Sequence, residues 1–172
     1  MEELPAYKVR PCPETLPDRW MTGTQNFAAI AGTGAAVEYL AGIGRSLGET
    51  GDRRACLVRA FAAIERYERA AGAGLLEGLG SVKGVRVYGI TDPRRLAERV
   101  PTVSFTVAGR TPGAVARHLA QRAVFAWHGN YYALPLTEAI GVEPDGMVRV
   151  GLLHYNTAAD IQRLVTALEE LA

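Results

Sequence analysis

The spacing of hydrophobic residues predicts helices in the first part of the chain. Between residues 27 and 71 apolar side chains recur every three or four positions, which is typical of helices. We expect one helix over residues 27–44 and a second over residues 52–71, and Gly72 and Gly74 are expected to end the second helix. The first is apolar nearly all round, whereas the second has one charged face.

From Gly84 onward hydrophobic residues alternate with polar ones, which predicts β-strands. The expected strands cover residues 85–89, 102–108, 123–127 and 147–153. Three helix-start signals accompany them, at Asp92-Pro93, at Thr111-Pro112 and at Thr157 with Asp160. The resulting order, α α β β α β β α, favours an α+β fold with a mostly antiparallel four-stranded sheet and helices packed on one face.

Residues 1–26 hold four of the nine prolines and show no sustained period. They predict an extended lead-in that needs a surface to lie on, followed by an α+β domain with its linking helix over residues 27–172.

Composition narrows the classes of partner. The chain has 172 residues, enough for one core, and its nineteen basic and eighteen acidic residues leave a net charge of +1. We therefore expect no nucleic-acid partner, and a small neutral or zwitterionic ligand instead.

Gly, Glu or Arg interrupts the longest apolar stretches before the roughly 20 residues that a membrane span needs, so no membrane partner is expected. Cys12 and Cys56 match neither a disulfide framework nor a zinc site, which favours a cytoplasmic setting with no metal.

One arginine stands in the last predicted strand. Because strand side chains alternate, Val148, Val150 and Leu152 form an apolar face and Arg149 projects opposite them, with Gly151 beside it. A planar carboxylate fits a guanidinium next to such a space. An arginine on a solvated strand face gives the same pattern, so both interpretations stay open.

A second candidate lies before the first long helix. The segment 22–26, with Gly23 and Thr24 in it, offers backbone N–H groups and a hydroxyl for a phosphate, although the same residues are ordinary helix caps. No covalent nucleophile appears in a recognisable frame, and the only lysines, Lys8 and Lys83, occur in segments that favour solvation. His128 has no visible partner for acid–base work, and the position of His154 between a strand and a helix cap is equally uninformative, so no catalytic residue is assigned.

Three segments together resemble one enzyme family. They read YKVRPCPETLPDRWMTGTQNFAAIAG, HGNYYALPLTEAIG and VRVGLLHYNTAADIQRLVTAL, and they occur in family order over nearly the whole chain. The chain resembles the C-terminal part of class V aminotransferases, most closely their cysteine-desulfurase-like branch. The resemblance implies the small domain of a fold-type I enzyme that uses pyridoxal 5'-phosphate, forms homo-oligomers and acts on a small amino acid.

By resemblance, the turn of Gly23 and Thr24 contacts the cofactor phosphate across a dimer interface, and Arg149 binds the substrate carboxylate. The family's Schiff-base lysine, and the Asp and His beside the pyridine ring, would belong to a large domain upstream of Met1. Tyr132 stands where group II desulfurases have their persulfide-carrying cysteine. The isolated chain is therefore expected to be inactive.

The sequence thus favours a C-terminal domain or fragment of a class V aminotransferase-like enzyme, which requires the large domain or a second subunit. Two alternatives stay open: a stand-alone, non-catalytic module that binds an amino acid, and an inert product of a truncated gene.

Overall fold

A computed structural model describes residues 3–171 of the chain. It contains, within that range, five α-helices and four strands in the order α1 (Phe27–Ser46), α2 (Arg53–Ser81), β1 (Val85–Tyr88), β2 (Thr102–Val107), α3 (Pro112–Ala120), β3 (Trp127–Gly129), α4 (Leu134–Ala139), β4 (Met147–Gly151) and α5 (Ala158–Glu169). Short 3-10 helices cover Asp18–Trp20 and Pro93–Glu98. The chain divides into two compact units, one up to Phe61 and one from Ala62 onward.

The second unit is built on a four-stranded sheet in the order β1-β2-β4-β3, and every neighbouring pair is antiparallel. Its covered face carries the fully buried Val103, Phe105 and Val148. Helices supply the other side of this core through the buried residues Leu75 and Leu79 of α2, Val115 and Leu119 of α3, and Leu164 and Leu168 of α5. The expected α+β fold, with helices on one face of an antiparallel sheet, is confirmed.

Helix α2 is ten residues longer than its glycines predicted, because it passes through Gly72 and Gly74 and ends at Ser81. Each glycine within a helix costs about 1 kcal/mol relative to alanine. The added turns place Leu75 and Leu79 in the core at 1% and 0% exposure, and burying a leucine contributes about 1.5–3 kcal/mol. Tertiary burial therefore outweighs the local preference for a helix end.

The third strand lies later than predicted. Residues 121–123 form the exit turn of α3, in which Ala123 has a φ of 56°. Residues 124–126 follow without regular structure, and Val124 N–H donates to Leu119 O at 3.0 Å. Alanine rarely adopts this left-handed conformation, so no residue type at this position indicated a turn. Strand β3 consequently begins only at Trp127, and β4 ends at Gly151, two residues before the predicted end.

Helix α4 was absent from the predicted order. Its six residues follow the GNYY segment and carry a proline in the first turn, a position where the missing N–H costs nothing. The buried Thr137 hydroxyl donates to Glu143 Oε1, which ties this short helix to the loop before β4.

Helix α1 carries many exposed apolar side chains, among them Phe27, Ile30 and Tyr39. Its 20 residues, with a mean hydropathy of 1.3, are long and apolar enough to cross a membrane by length and composition alone. This corrects the expectation that Gly, Glu and Arg interrupt every apolar stretch too early, since Glu38 and Arg45 are the only charges in this helix. The core helix of a soluble protein can meet the same criteria of length and hydropathy. The result therefore describes the composition of α1 and does not show that the helix lies in a membrane.

Within the first unit, Gly44 of α1 touches the backbone of α2. A Cβ at Gly44 would lie 2.0 Å from the carbonyl oxygen of Cys56, closer than any real contact. The two helices therefore depend on glycine at this position.

Replacement of Gly44 by alanine should destabilise the fold, because backbone atoms cannot move aside as a flexible side chain does. We expect Gly44→Ala to lower the free energy of unfolding by about 1–3 kcal/mol, measured by urea denaturation. Gly42→Ala is the matched control, since no atom lies within 4 Å of its added Cβ and alanine is the better helix former. Equal stability of the two variants would contradict the close contact.

Candidate functional site

The open face of the sheet presents a row of four side chains, one from each strand. Trp127 pairs with Arg149, Arg149 with Ser104, and Ser104 with Tyr88, so that the row crosses β3, β4, β2 and β1. Side chains of directly opposed residues point to the same face. The strand positions on this face contain no Asp or Glu anywhere in the four described strands.

Arg149 lies among aromatic rings in this row. Its guanidinium carbon is 4.2 Å from the ring centre of Tyr131 and 5.8 Å from that of Trp127. The arginine is half-buried, and within residues 3–171 no carboxylate lies within salt-bridge distance of it. The N–H edge of this guanidinium is consequently not taken up by a protein acid.

Acidic residues near the row are already paired. Glu65 and Glu98 line a hollow beside Tyr88 and Ser104. Glu98 accepts from Arg95 at 2.7 and 2.9 Å, and Glu65 accepts from Arg69. Because these carboxylates have arginine partners of their own, they do not compete for Arg149.

Gly151 lies on the same face as Arg149 and is exposed, as the alternation predicted. It pairs with Thr102, whose Oγ1 would be 3.3 Å from a Cβ at that position. The space beside the guanidinium is therefore bounded by a hydroxyl. Met147, two residues before Arg149, shares the face but is buried.

The loop after β3 places Tyr131 through an unusual backbone. Tyr131 and Tyr132 have φ values of 56° and 61°, a region that costs a non-glycine residue about 1–2 kcal/mol. The Tyr131 hydroxyl lies 2.5 Å from Met147 O and 3.2 Å from Trp127 O, so its single proton is directed at β4 and β3. Tyr132 is fully exposed, and its N–H donates to Asn130 Oδ1 at 3.2 Å.

Burial raises the pKa of Tyr131 to about 12, although the positive charge of Arg149 acts in the opposite direction. The phenol is therefore neutral at physiological pH and keeps the proton that it donates to the backbone.

The second candidate, in the first unit, is the turn at Gly23 and Thr24. Both residues are exposed, and a Cβ at Gly23 would meet no atom within 4 Å. The cap of α1 is Asn26, whose Oδ1 accepts from Ala29 N–H at 3.0 Å, and the first turn of the helix contains no acidic residue. The Thr24 hydroxyl is thus not the helix cap, and no carboxylate in that turn offsets the positive end of the helix.

The lysines and histidines singled out in the sequence lie elsewhere. Lys8 Nζ donates to Glu14 Oε1 at 2.5 Å and to Cys12 O at 3.0 Å, while Lys83 is exposed. His128 lies in β3 on the side opposite Arg149, and the ring of His154 packs edge-on against Tyr155 at 5.2 Å.

Sequence reasoning placed Arg149 on the open face but missed its aromatic neighbours. Tyr131 lies eighteen residues earlier and in a loop, and Trp127 meets the arginine only through antiparallel pairing. The available signal was the cluster of three aromatics between Trp127 and Tyr132, which alone indicates no partner.

The fold and this row define a small α+β domain whose open sheet face presents an arginine that no carboxylate within residues 3–171 pairs with. The profile of the family described as aminotransferase class-V matches residues 12–164, so the chain belongs to this family. The resemblance noted in the sequence is confirmed, and the family, cysteine desulfurases included, depends on pyridoxal phosphate.

Among curated relatives, the chain is 39% identical over 110 residues to the aminotransferase-like protein FGM3 of Gibberella zeae, covering 62% of this chain and 27% of the relative. It is 30% identical over 148 residues to a probable cysteine desulfurase of Pseudomonas putida, covering 86% and 31%. Among solved structures it is similar to the apo cysteine desulfurase of Thermococcus onnurineus, with a TM-score of 0.70, 28% identity, and coverage of 90% of this chain and 33% of that one. The chain thus spans about a third of the length of these relatives.

The raised pKa of Tyr131 predicts how stability changes with pH. A group whose pKa is higher in the folded chain stabilises it fully below the unfolded pKa, near 10, and loses that contribution as the pH rises to about 12. We expect the free energy of unfolding of the wild type to fall relative to Tyr131→Phe across this interval, measured by denaturant titrations at fixed pH values. Parallel curves for the two proteins between pH 9 and 12 would contradict the raised pKa.

Proposed function

We propose that this chain is the C-terminal domain of a class V aminotransferase-like, pyridoxal-phosphate-dependent enzyme and that Arg149 binds the carboxylate of a small amino-acid substrate. One observation carries the proposal: a half-buried guanidinium, flanked by aromatic rings, has no acidic partner within residues 3–171. An arginine retained for stability ordinarily pairs with an acid or extends into solvent.

The chemistry of a guanidinium supports a carboxylate as the ligand. Its planar fork donates two parallel hydrogen bonds to the two oxygens, and the pair contributes more than a neutral hydrogen bond, about 1.5–3 kcal/mol. The rings of Tyr131 and Trp127 partly exclude water from Arg149, which strengthens an electrostatic contact. Thr102, beside Gly151, adds a hydroxyl at the edge of the space.

The turn at Gly23 and Thr24 fits a phosphate group. Its hydroxyl is exposed, the turn has room at Gly23, and the N-terminal end of α1 is not neutralised by an acid in its first turn. We therefore infer that Thr24 donates a hydrogen bond to the cofactor phosphate and that Gly23 lets the backbone approach it. Pyridoxal phosphate, when bound, supplies an electron sink for bond breaking at the amino acid's α-carbon.

The remaining chemistry requires residues outside this chain. We infer that a large domain or a second subunit provides the Schiff-base lysine, because Lys8 is paired with Glu14 and Lys83 is exposed. Exposed apolar side chains in both units, such as Phe27 and Trp127, would contact that domain or another copy in a homo-oligomer. A surface of this kind favours a protein partner over a membrane or a nucleic acid. We propose a cytoplasmic setting for the assembled enzyme.

Tyr132 limits which reactions the proposed enzyme can catalyse. It is fully exposed at the position where group II desulfurases have a persulfide cysteine, and a phenol cannot carry sulfur in that way. We infer that the enzyme does not release sulfur through a persulfide at this position. Transamination, lyase chemistry and sulfur transfer by another route remain as reactions on the amino acid.

The isolated chain should not bind pyridoxal phosphate covalently. A Schiff-base lysine needs an amine that is free to attack and lies in the cofactor pocket, whereas the Lys8 amine is held by Glu14 Oε1 and Cys12 O and Lys83 is exposed. After incubation with the cofactor and reduction with borohydride, mass spectrometry should find no stoichiometric adduct on Lys8 or Lys83. A specific adduct on either residue would contradict the proposal that the Schiff-base lysine lies outside this chain.

Substitution of Arg149 tests the carboxylate contact. In enzyme assembled from this chain and the complementary large domain, Arg149→Lys should weaken amino-acid binding or kcat/KM by about ten- to hundredfold, because an ammonium cannot form the fork. Folding and cofactor binding should be retained, since Arg149 points away from the core.

The matched control is Arg86→Lys. Arg86 lies on the same sheet face and over the ring of Tyr88 at 5.0 Å, outside the row of Arg149. It should leave substrate titrations unchanged. A large fall in Tm for Arg149→Lys with unaltered substrate affinity would assign Arg149 a structural role instead.

A further inference from the structure

We propose that Tyr131 is a positioning residue that fixes the plane and location of the Arg149 guanidinium. The inference rests on the proposed function in one respect only, that the guanidinium so fixed receives a carboxylate. Tyr131 itself contacts the protein and not the reacting atoms.

The guanidinium of Arg149 lies over the ring of Tyr131. At 4.2 Å between the guanidinium carbon and the ring centre, the contact is a cation–π interaction. A guanidinium carries five N–H donors in a planar fork, which is more than one aromatic ring can engage, so the cation retains donors for a carboxylate. A ring in this position restricts the long side chain of Arg149.

The hydroxyl of Tyr131 holds the ring in place. It donates towards Met147 O at 2.5 Å and shares its proton with Trp127 O at 3.2 Å, which are atoms of the strands that carry Arg149 and its aromatic neighbour. The ring is therefore anchored to the strand whose arginine it contacts. A phenylalanine would keep the ring but lose this anchor.

The backbone of Tyr131 supports the same inference. Left-handed conformations at two successive tyrosines are unfavourable, and such residues persist only where the surroundings over-determine them. The hydroxyl contacts and the Arg149 contact of Tyr131 oppose this cost. Tyr132 shares the conformation with a fully exposed side chain, and its N–H donates to Asn130 Oδ1 at 3.2 Å. Of the two tyrosines, Tyr131 is therefore the one whose side chain contacts the protein.

The test observes the guanidinium itself in the full chain. In an arginine-labelled sample, the Nε–H signal of Arg149, assigned by its loss in Arg149→Lys, should show an upfield ring-current shift. This shift should vanish in Tyr131→Leu, and in Tyr131→Phe it should be reduced, because the ring remains without its anchor. The control is Tyr88→Leu, which removes a ring from the same row beyond Ser104 and should leave the Arg149 signal unchanged.

Sodium acetate then serves as the carboxylate probe, with sodium chloride at equal ionic strength as its reference. We expect acetate to move the wild-type Arg149 signal, and Tyr131→Leu to respond about two- to fivefold more weakly, as the loss of one cation–π contact implies. Thermal melts check that each variant is folded, and Tyr131→Phe retains most of the packing if Tyr131→Leu does not fold.

The outcomes separate the two proposals. An Arg149 signal and acetate response that are the same in the wild type and in Tyr131→Phe, and in any folded Tyr131→Leu, would overturn the positioning role. A wild-type signal that shows the ring-current shift, lost in the variants, but ignores acetate would uphold the fixing of Arg149 and overturn its carboxylate-binding function.

Discussion

Antiparallel pairing of β4 with β2 on one side and β3 on the other is the interaction on which the rest of the second unit depends. It places Val148 beside Phe105 on the covered face, where both are fully buried. A slip of one residue would turn these side chains to the open face, so core burial fixes the register strongly. That register also sets Trp127 and Ser104 on either side of Arg149, and the core thereby determines the candidate site.

The two faces of the sheet contribute differently to stability and to the candidate site. The covered face contributes stability through apolar burial against α2, α3 and α5. The open face contributes little to the core. It therefore tolerates an arginine that no acid in the described part of the chain pairs with, and a tyrosine in a strained backbone conformation.

The chain shares its fold with about a third of much larger relatives, and the two proposed contacts lie in different units of it. In our proposal, Arg149 offers the carboxylate contact from the sheet, and Thr24 offers the phosphate contact from a turn before α1. Neither contact performs bond-breaking chemistry, so the proposal assigns that chemistry to residues outside this chain.

The sequence by itself determined the alternation in β2 and β4, the capping box at Thr157 and the placement of Arg149 opposite the core, because these depend on neighbours within a few residues. Only the tertiary structure decided that α2 passes through Gly72 and Gly74, where burial of Leu75 and Leu79 outweighs local propensity. It likewise decided the contact of Tyr131 with Arg149. Strand pairing and loop conformation bring these two distant residues together. The free energies of pairing and of the loop depend on contacts between residues far apart in the chain, which a local sequence pattern does not indicate.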